Sequence, residues 1–276
     1  MILRASAKNL PAFLHLRVVT RARASLRCVQ MLGTLLNAGA ILLGGFLGVS
    51  TRLDIAAPRQ QQLKVLLGVA TTFFGLKLVW TGLASTGTAR GFFRQLFVVL
   101  AAMVIGHFIG KLCRIQSLFN RLGHDAKVKL ERAATDPKKS ASDGLLAATL
   151  LFCAAPLGLV GALEDGIHQY YAPLAIKAVM DGVAAISFAR MFGWTAMLAS
   201  LPVAAFLCGV TLLGVRLAPW LEAQHVLGVF HASAGLIMTY VTLVIFEVKK
   251  VEIANYLPSL FVAPGLMKLW NLTFGT

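Results

Sequence analysis

The sequence predicts an all-α, multi-pass membrane protein, and three observations carry that prediction. Of the 276 residues, 58% are hydrophobic and only 13% are charged, where soluble domains carry roughly 25% charged residues. A chain of this size could bury a large core, but so few charges cannot clothe one in water, and the mean hydropathy is +0.76. The apolar residues fall in continuous runs of about 20, the length that crosses the hydrocarbon layer as a helix. They do not alternate, which excludes a transmembrane β-barrel. The net charge of +15 comes mostly from a tail and the connections between runs. That is the signature of membrane topology, and no motif for reading nucleic acid accompanies it. The bilayer is the expected partner, and nucleic acid is not.

Residues 1–30 contain Arg4, Lys8, Arg17, Arg21, Arg23 and Arg27 and no acid. Their apolar residues are too interrupted to span. They read as a basic N-terminal extension, either a disordered or surface-lying segment or a stretch upstream of a native start at Met31. Residues 31–276 read as a single transmembrane domain. Eight spans are expected, at roughly 32–50, 65–84, 95–113, 144–163, 174–192, 194–215, 226–246 and 253–270. The fifth and sixth are nearly continuous and meet at Gly193. Residues 114–143 form a basic linker, read as a short amphipathic helix (IQSLFNRLG) followed by a solvated loop through Asp136-Pro137. The four cysteines, Cys28, Cys113, Cys153 and Cys208, have neither disulfide-framework nor metal spacing, so no metal or cofactor is expected.

Orientation follows from Lys and Arg in alternate connections. The set that includes 114–143 holds fourteen and the other, without the tail, holds four. The first set, linker included, is therefore expected in the cytoplasm and the Glu164–Tyr171 turn outside. The basic tail then falls on the outer side, in conflict with the same rule. Shifted by 160 positions, the chain matches itself: Gly33 with Gly193, Phe46-Leu47 with Phe206-Leu207, Leu67-Gly68-Val69 with Leu227-Gly228-Val229, and Gly75-Leu76 with Gly235-Leu236. An odd number of spans separates the copies. Spans 1–3 and 6–8 would then form an inverted repeat, an arrangement common in secondary transporters, around the charged hairpin of spans 4 and 5.

That hairpin carries the candidate site. Glu164 and Asp165 end a span interrupted by Pro156, which removes an N–H and frees a carbonyl near Phe152. The two acids either lie solvated in the headgroup layer, or one of them points inward as part of a broken-helix cation site. Lys177 and Asp181 are four apart, on one face of a helix. They form either a neutralising salt bridge or an Asp that exchanges Lys for a proton or cation. Charges at membrane depth cost about 2.5–3.5 kcal/mol each on insertion scales and usually mark function. Lys77, deep in span 2, either snorkels to an interface or pairs with Asp181 or Glu164. Asn37, beside Gly39, Gly44 and Gly45, either joins helices or faces a pore. His107 and His231 are lone histidines, read as packing or proton-relay residues. Pro258 and Pro264, with Asn255, make the last span a second broken-helix candidate. Asp181-Gly182-x-x-Ala185 begins like a phosphatidyl-alcohol transferase signature, but Ile186 stands where that signature needs Arg, so this enzyme is excluded.

GTLLNAGAILLGGFLG at 33–48, GLKL at 75–78, IGKLCRIQSLFNRLG at 109–123, LLFCAAPLGLVGALEDGI at 150–167, LAIKAVMDGVAAISFA at 174–189 and VEIANYLPSLFVAP at 251–264 resemble the YqgA/YdfK-like bacterial membrane family, domain of unknown function 554. The resemblance implies a multi-pass protein of the inner membrane with transport as its expected role, and no substrate. Lys111 departs from the acidic residue of that family after Ile-Gly, which argues against an ion role there. The expected function is a transporter or channel for an ion or small solute, with Glu164, Asp165, Lys177, Asp181, Asn37 and Lys77 as binding residues. The chain could assemble as a homo-oligomer. The alternative is a non-catalytic scaffold or sensor whose basic linker binds lipid or a partner. No nucleophile–base pair or metal spacing appears, so an enzyme is not expected.

Overall fold

The computed structural model describes residues 31–51, 56–135, 140–248 and 251–274. The basic extension at 1–30 lies outside the described residues. Among those described, every regular element is helical. They are α1 (Leu32–Ser50), α2 (Ala57–Leu83), α3 (Ala89–Leu112), α4 (Ile115–Thr135), α5 (Ser140–Cys153), α6 (Pro156–His168), α7 (Ala172–Phe192), α8 (Ser200–Ala223), α9 (Leu227–Ile245) and α10 (Ser259–Phe274). Short 3-10 turns follow α2, join α7 to α8 and precede α10.

The helices are built inside out relative to a water-soluble bundle. On α1 the residues turned inward are Gly33, Thr34, Asn37, Ile41, Gly44, Gly45 and Gly48, while Leu43 is 67% and Phe46 57% exposed. Small and polar residues inside with large apolar ones outside is the distribution lipid selects, because burying leucine against leucine gains nothing over burying it against lipid tails. Close backbone packing takes its place. A methyl group on Gly44 would overlap the carbonyl oxygen of Gly182 on α7, so only glycine admits that crossing.

Five stretches are long and apolar enough to cross a membrane, and a sixth forms if the bent pair α5–α6 counts as one. The protein is therefore an apolar, all-helical membrane protein, and by this measure the eight expected spans reduce to five or six. Two causes account for the difference. The last helix, α10, has 16 residues, because Ile253–Tyr256 winds as a 3-10 turn and the α-helix begins only after Pro258. Residues Ala172–Ala223 run on as one helical stretch of 52 residues. Contacts with α1 show that this stretch reverses. Gly33 approaches Leu174 and Gly48 approaches Ile186, so α7 runs parallel to α1. The hydroxyls of Thr34 and Thr211 lie 3.3 Å apart and Gly45 approaches Met197, so α8 runs antiparallel to it. The reversal falls at Gly193, whose φ of +72° lies in the region glycine enters at little cost.

The linker also differs from expectation. It is helical through Thr135 instead of loosening after Gly123. Ile115, Phe119, Leu122, Ala126 and Ala133 recur near a 3.6-residue period and line the less exposed face, so the amphipathic stripe continues past the expected stop. Gln116 fixes the start of α4: its backbone N–H donates to Asn255 Oδ1 at 3.1 Å, and its side-chain oxygen accepts from the Ala254 N–H at 3.0 Å. The Asp136-Pro137 turn lies outside the described residues.

Candidate functional site

The site forms where α1, α6, α7 and α9 meet, and its first cause is Pro156. With no N–H to donate, Pro156 leaves the Phe152 carbonyl without its i+4 partner. The helix stops at Cys153 and restarts with Pro156 in its first turn, bent by 61° from α5. The short helix α6 then carries Glu164 and Asp165 to its C-terminal end. Gln169, with φ +57°, closes it by donating from its N–H to the Asp165 carbonyl at 3.0 Å. Three residues later α7 begins, with Pro173 in its first turn.

Both acids are fully buried, so the solvated headgroup placement expected as one alternative is overturned. The reason is the tight turn that follows, which tucks the end of α6 between α1, α8 and α9. Asp165 Oδ2 accepts the Gly33 N–H at the start of α1 at 3.0 Å. This is a carboxylate at a helix N-terminus, where unpaired N–H groups and the helix dipole favour negative charge. Glu164 Oε2 lies 2.7 Å from His231 Nδ1 on α9. His231 therefore has a specific acidic partner that its lone position in the sequence did not reveal. The ring of His168 sits 4.9 Å from the ring of His231.

Lys177 and Asp181 form the expected ion pair within α7, with Lys177 only 2% exposed. Asn37 on α1 donates from Nδ2 to Asp181 Oδ2 at 2.9 Å. The lysine stem crosses Gly158 of α6, where a methyl group would lie 2.8 Å from Cε. Asn37, Lys177 and Asp181 are thus brought together, and Glu164 and Asp165 make separate contacts on the same short helix. Lys77 joins neither group. It is exposed on α2, and Asp181 and Glu164, its two expected partners, are taken by Lys177 and His231. Its position suits the snorkelling alternative.

Two cavities open on opposite ends of this arrangement. One, of about 340 Å³, lies on the side of the α6–α7 turn and is lined by Lys77, Ser85, His168, Tyr170, Gly228 and His231 among others. The second, of about 330 Å³, lies toward the start of α2 and the end of α9, with Lys177, Asp181 and Pro156 in its wall. Lys64 and Glu247 line it too and pair with each other at 2.9 Å. Between the two cavities stand the buried polar side chains. Three of their oxygens, Asn37 Oδ1, Glu164 Oε1 and Asp165 Oδ1, have no donor among the described residues. Buried acceptors are costly to leave unpaired; the two carboxylate oxygens suit a proton, a water or a cation, and the Asn37 amide oxygen suits a water or a cation.

Sequence reasoning missed His168, Thr34 and Thr211 and gave His231 no partner. For His168 a signal existed, since it lies four residues after Glu164 and hence on the same helix face. For the threonines there was none.

Comparison with known proteins agrees with this membrane architecture. A family model described as "Protein of unknown function (DUF554)" matches residues 32–268. The chain is 26% identical over 248 residues, 89% of its length and 100% of the relative's, to "Uncharacterized protein YqgA" of Escherichia coli (strain K12). It is 24% identical over 234 residues, 85% of its length and 94% of the relative's, to "Uncharacterized membrane protein YdfK" of Bacillus subtilis (strain 168). No solved structure matches the chain.

Proposed function

Since the chain belongs to the DUF554 family, which brings a membrane setting but no chemistry, we propose from the site itself that it moves an ion or small solute across the bacterial inner membrane. The observation that carries this reading is the chain of buried ionisable groups between two cavities on opposite sides. A protein that merely filled the bilayer would have no use for Glu164, Asp165, Lys177 and Asp181 there, because each charge burdens insertion. In this reading Asp181 and Glu164 accept a proton or cation, Lys177 and His231 are their counter-charges, and Asn37 and Asp165 hold the polar wall.

The helix directions support eight crossings. At about 1.5 Å per residue, a stretch of 52 residues is far longer than the hydrocarbon layer of about 30 Å, and its reversal at Gly193 makes it two. Counting α1, α2, α3, the α5–α6 pair, α7, α8, α9 and α10 as alternating passes gives the directions found in the contacts. The pair α1 and α7 is parallel, as is α6 with α8, where Gly158 approaches Leu207 and Gly166 approaches Thr211. The pair α2 and α9 is antiparallel, as is α3 with α10.

An inverted repeat is supported by where α2 and α9 cross. Gly75 and Gly235, 160 positions apart, sit opposite each other, and a methyl group on either would stand 3.0 Å or less from the other's carbonyl oxygen. Flanking contacts mirror across that point: Gly75 meets Thr239 and Gly235 meets Val79. The antiparallel course of α3 against the last segment is seen where Gly106 meets Ser259 at the start of α10 and Gly110 meets Asn255 in the 3-10 turn before it. In this reading a two-fold axis in the membrane plane relates α2 to α9. Alternate opening of the two cavities then follows from exchanging the conformations of the two halves. The test is ion and solute flux in proteoliposomes: the wild type carries it and Asp181→Asn lowers it by an order of magnitude or more. Unchanged flux in that variant removes Asp181 from the mechanism.

A further inference from the structure

The cavity on the side of the α6–α7 turn is electrostatically one-sided. Its ionisable lining residues are Lys77, His168, Tyr170 and His231, and no carboxylate is among them. The nearest acid, Glu164, is fully buried and engaged on His231 Nδ1 at 2.7 Å. Leu227 and Gly228, the first two residues of α9, also line the cavity. Val226 precedes that helix as its N-cap residue, and no side chain caps the first turn. An uncapped helix start presents unpaired N–H groups and the positive end of the helix dipole.

A second, independent feature points the same way. His231 is only 7% exposed and lies one turn into α9, above Gly228. With Nδ1 turned to Glu164, its other ring nitrogen, Nε2, is buried and has no partner among the described residues. A proton carried there makes Nε2 a donor beside the helix start. Lys77 adds a full positive charge, and no acid among the described residues pairs with it. A cation would meet Lys77 and the positive end of α9. A neutral apolar molecule would leave these donors unanswered. A volume of about 340 Å³ falls at the small end of ligand pockets.

We propose that this cavity is the docking site of a small oxyanion of carboxylate or phosphate type, held between Lys77, the first turn of α9 and Nε2 of His231. The inference deepens the transport reading and rests on it for its purpose: the oxyanion is the solute, and the buried carboxylates behind it carry the accompanying proton or cation. Binding itself can be measured without flux, so the two claims fail separately.

The experiment uses full-length protein in lipid nanodiscs, with sodium formate, acetate, phosphate and sulfate titrated separately at constant ionic strength. The readout is the thermal unfolding midpoint, which rises saturably with any ligand that binds only the native state. At least one of the four anions is expected to give a saturable rise. Which one does so separates a carboxylate from a phosphate-type solute. Losing one charge-assisted hydrogen bond should raise the half-saturating concentration about tenfold in Lys77→Gln. Lys77→Arg should restore it, and Arg121→Gln on the distant α4 should leave it unchanged. His231→Gln should abolish the rise; should that variant fail to fold, the comparison of Lys77→Gln with Lys77→Arg carries the test. No saturable rise with any of the four, or a Lys77→Gln protein that responds like the wild type, overturns the proposal. Flux without an anion-dependent rise sinks the oxyanion site and leaves the transport reading standing; a rise without flux does the reverse.

Discussion

Removing Asp181 alone and removing it together with Lys177 should give opposite effects on stability and the same effect on transport. The side chain of Lys177 is 2% exposed and that of Asp181 10% exposed, so both charges are out of water. Asp181→Asn leaves the ammonium buried without a counter-charge, a change that costs about 3–5 kcal/mol when one partner of a buried pair is deleted. Asn37 Nδ2 also exchanges a charged acceptor for a neutral one, adding about 1 kcal/mol. Replacing both members with apolar residues of similar volume, Lys177→Met with Asp181→Leu, removes the desolvation burden along with the attraction. Such replacements are often neutral or stabilising by about 1–4 kcal/mol. The lost Asn37 bond takes back part of that gain, so the double variant should unfold near the wild-type midpoint or above it. Unfolding in detergent, followed by tryptophan fluorescence, measures the stabilities, and proteoliposome flux measures the function. The expected pattern is an unstable, inactive single variant and a stable, inactive double variant. A double variant that transports normally would refute the reasoning, because the pair would then serve only to let α7 insert. A single variant as stable as the wild type would show that Lys177 is not confined as described.

Two glycines on α1 should part company. Gly44→Ala drives a methyl group into the Gly182 carbonyl oxygen, whereas nothing lies within 4 Å of one on Gly39. Gly44→Ala should therefore destabilise by about 1–3 kcal/mol or more, and Gly39→Ala should stabilise by up to about 1 kcal/mol; thermal unfolding of the two variants checks this. The Lys64–Glu247 pair is half exposed or more on both sides, so Lys64→Gln should cost less than about 1 kcal/mol. Because the pair lies against the cavity that holds Asp181, the same variant should change flux and its salt dependence, and a flux identical to wild type at all salt concentrations would count against a role at that opening. In a background without Cys28, Cys113, Cys153 and Cys208, Ser85→Cys should react with an impermeant maleimide from outside intact spheroplasts and Lys64→Cys only after lysis. The reverse labelling would invert the assigned orientation.

The class of this protein was legible in its sequence because lipid imposes a crude, long-period demand: runs of about 20 apolar residues, with Lys and Arg gathered between them. The broken span was legible for a local reason, since Pro156 forbids a continuous helix whatever surrounds it. The Lys177–Asp181 pair could be read from spacing alone, because residues four apart share a helix face. Glu164 and Asp165 were harder. Their fate turned on how tightly α6 closes onto α7, and so on Gln169 adopting a left-handed conformation that its residue type does not announce. His231 was out of reach: its partner lies 67 positions away on a helix whose rotation is set by Gly75 and Gly235. Helix length alone does not return the expected span count, because Ala172–Ala223 winds as one helical stretch through the 3-10 turn between α7 and α8 and α10 has only 16 residues.

The hidden contacts share a physical cause. In water, the apolar face of a helix announces which side turns inward. In lipid, the inward side is marked by small residues and isolated polar ones, and these say that something is near without saying what. Asn37 illustrates the limit. Its place in the stripe Gly33, Asn37, Gly44 and Gly48 fixes that it faces inward, while its pairing with Asp181 depends on α7 lying parallel to α1. That parallel packing is fixed before Gly193, by Gly33 against Leu174 and Gly48 against Ile186, and the turn at Gly193 then lays α8 back along α1. The topology therefore carries the site in two steps: the packing of α7 on α1 sets Asp181 against Asn37, and the turn at Gly193 places Thr211 against Thr34 and brings α8 alongside the Glu164 helix. Inserting a residue pair after Gly193 should leave each helix able to form. It should still disrupt the register of α8 on α1 and abolish flux, with unfolding cooperativity reduced. Retained flux in that insertion variant would show that the site does not depend on the reversal.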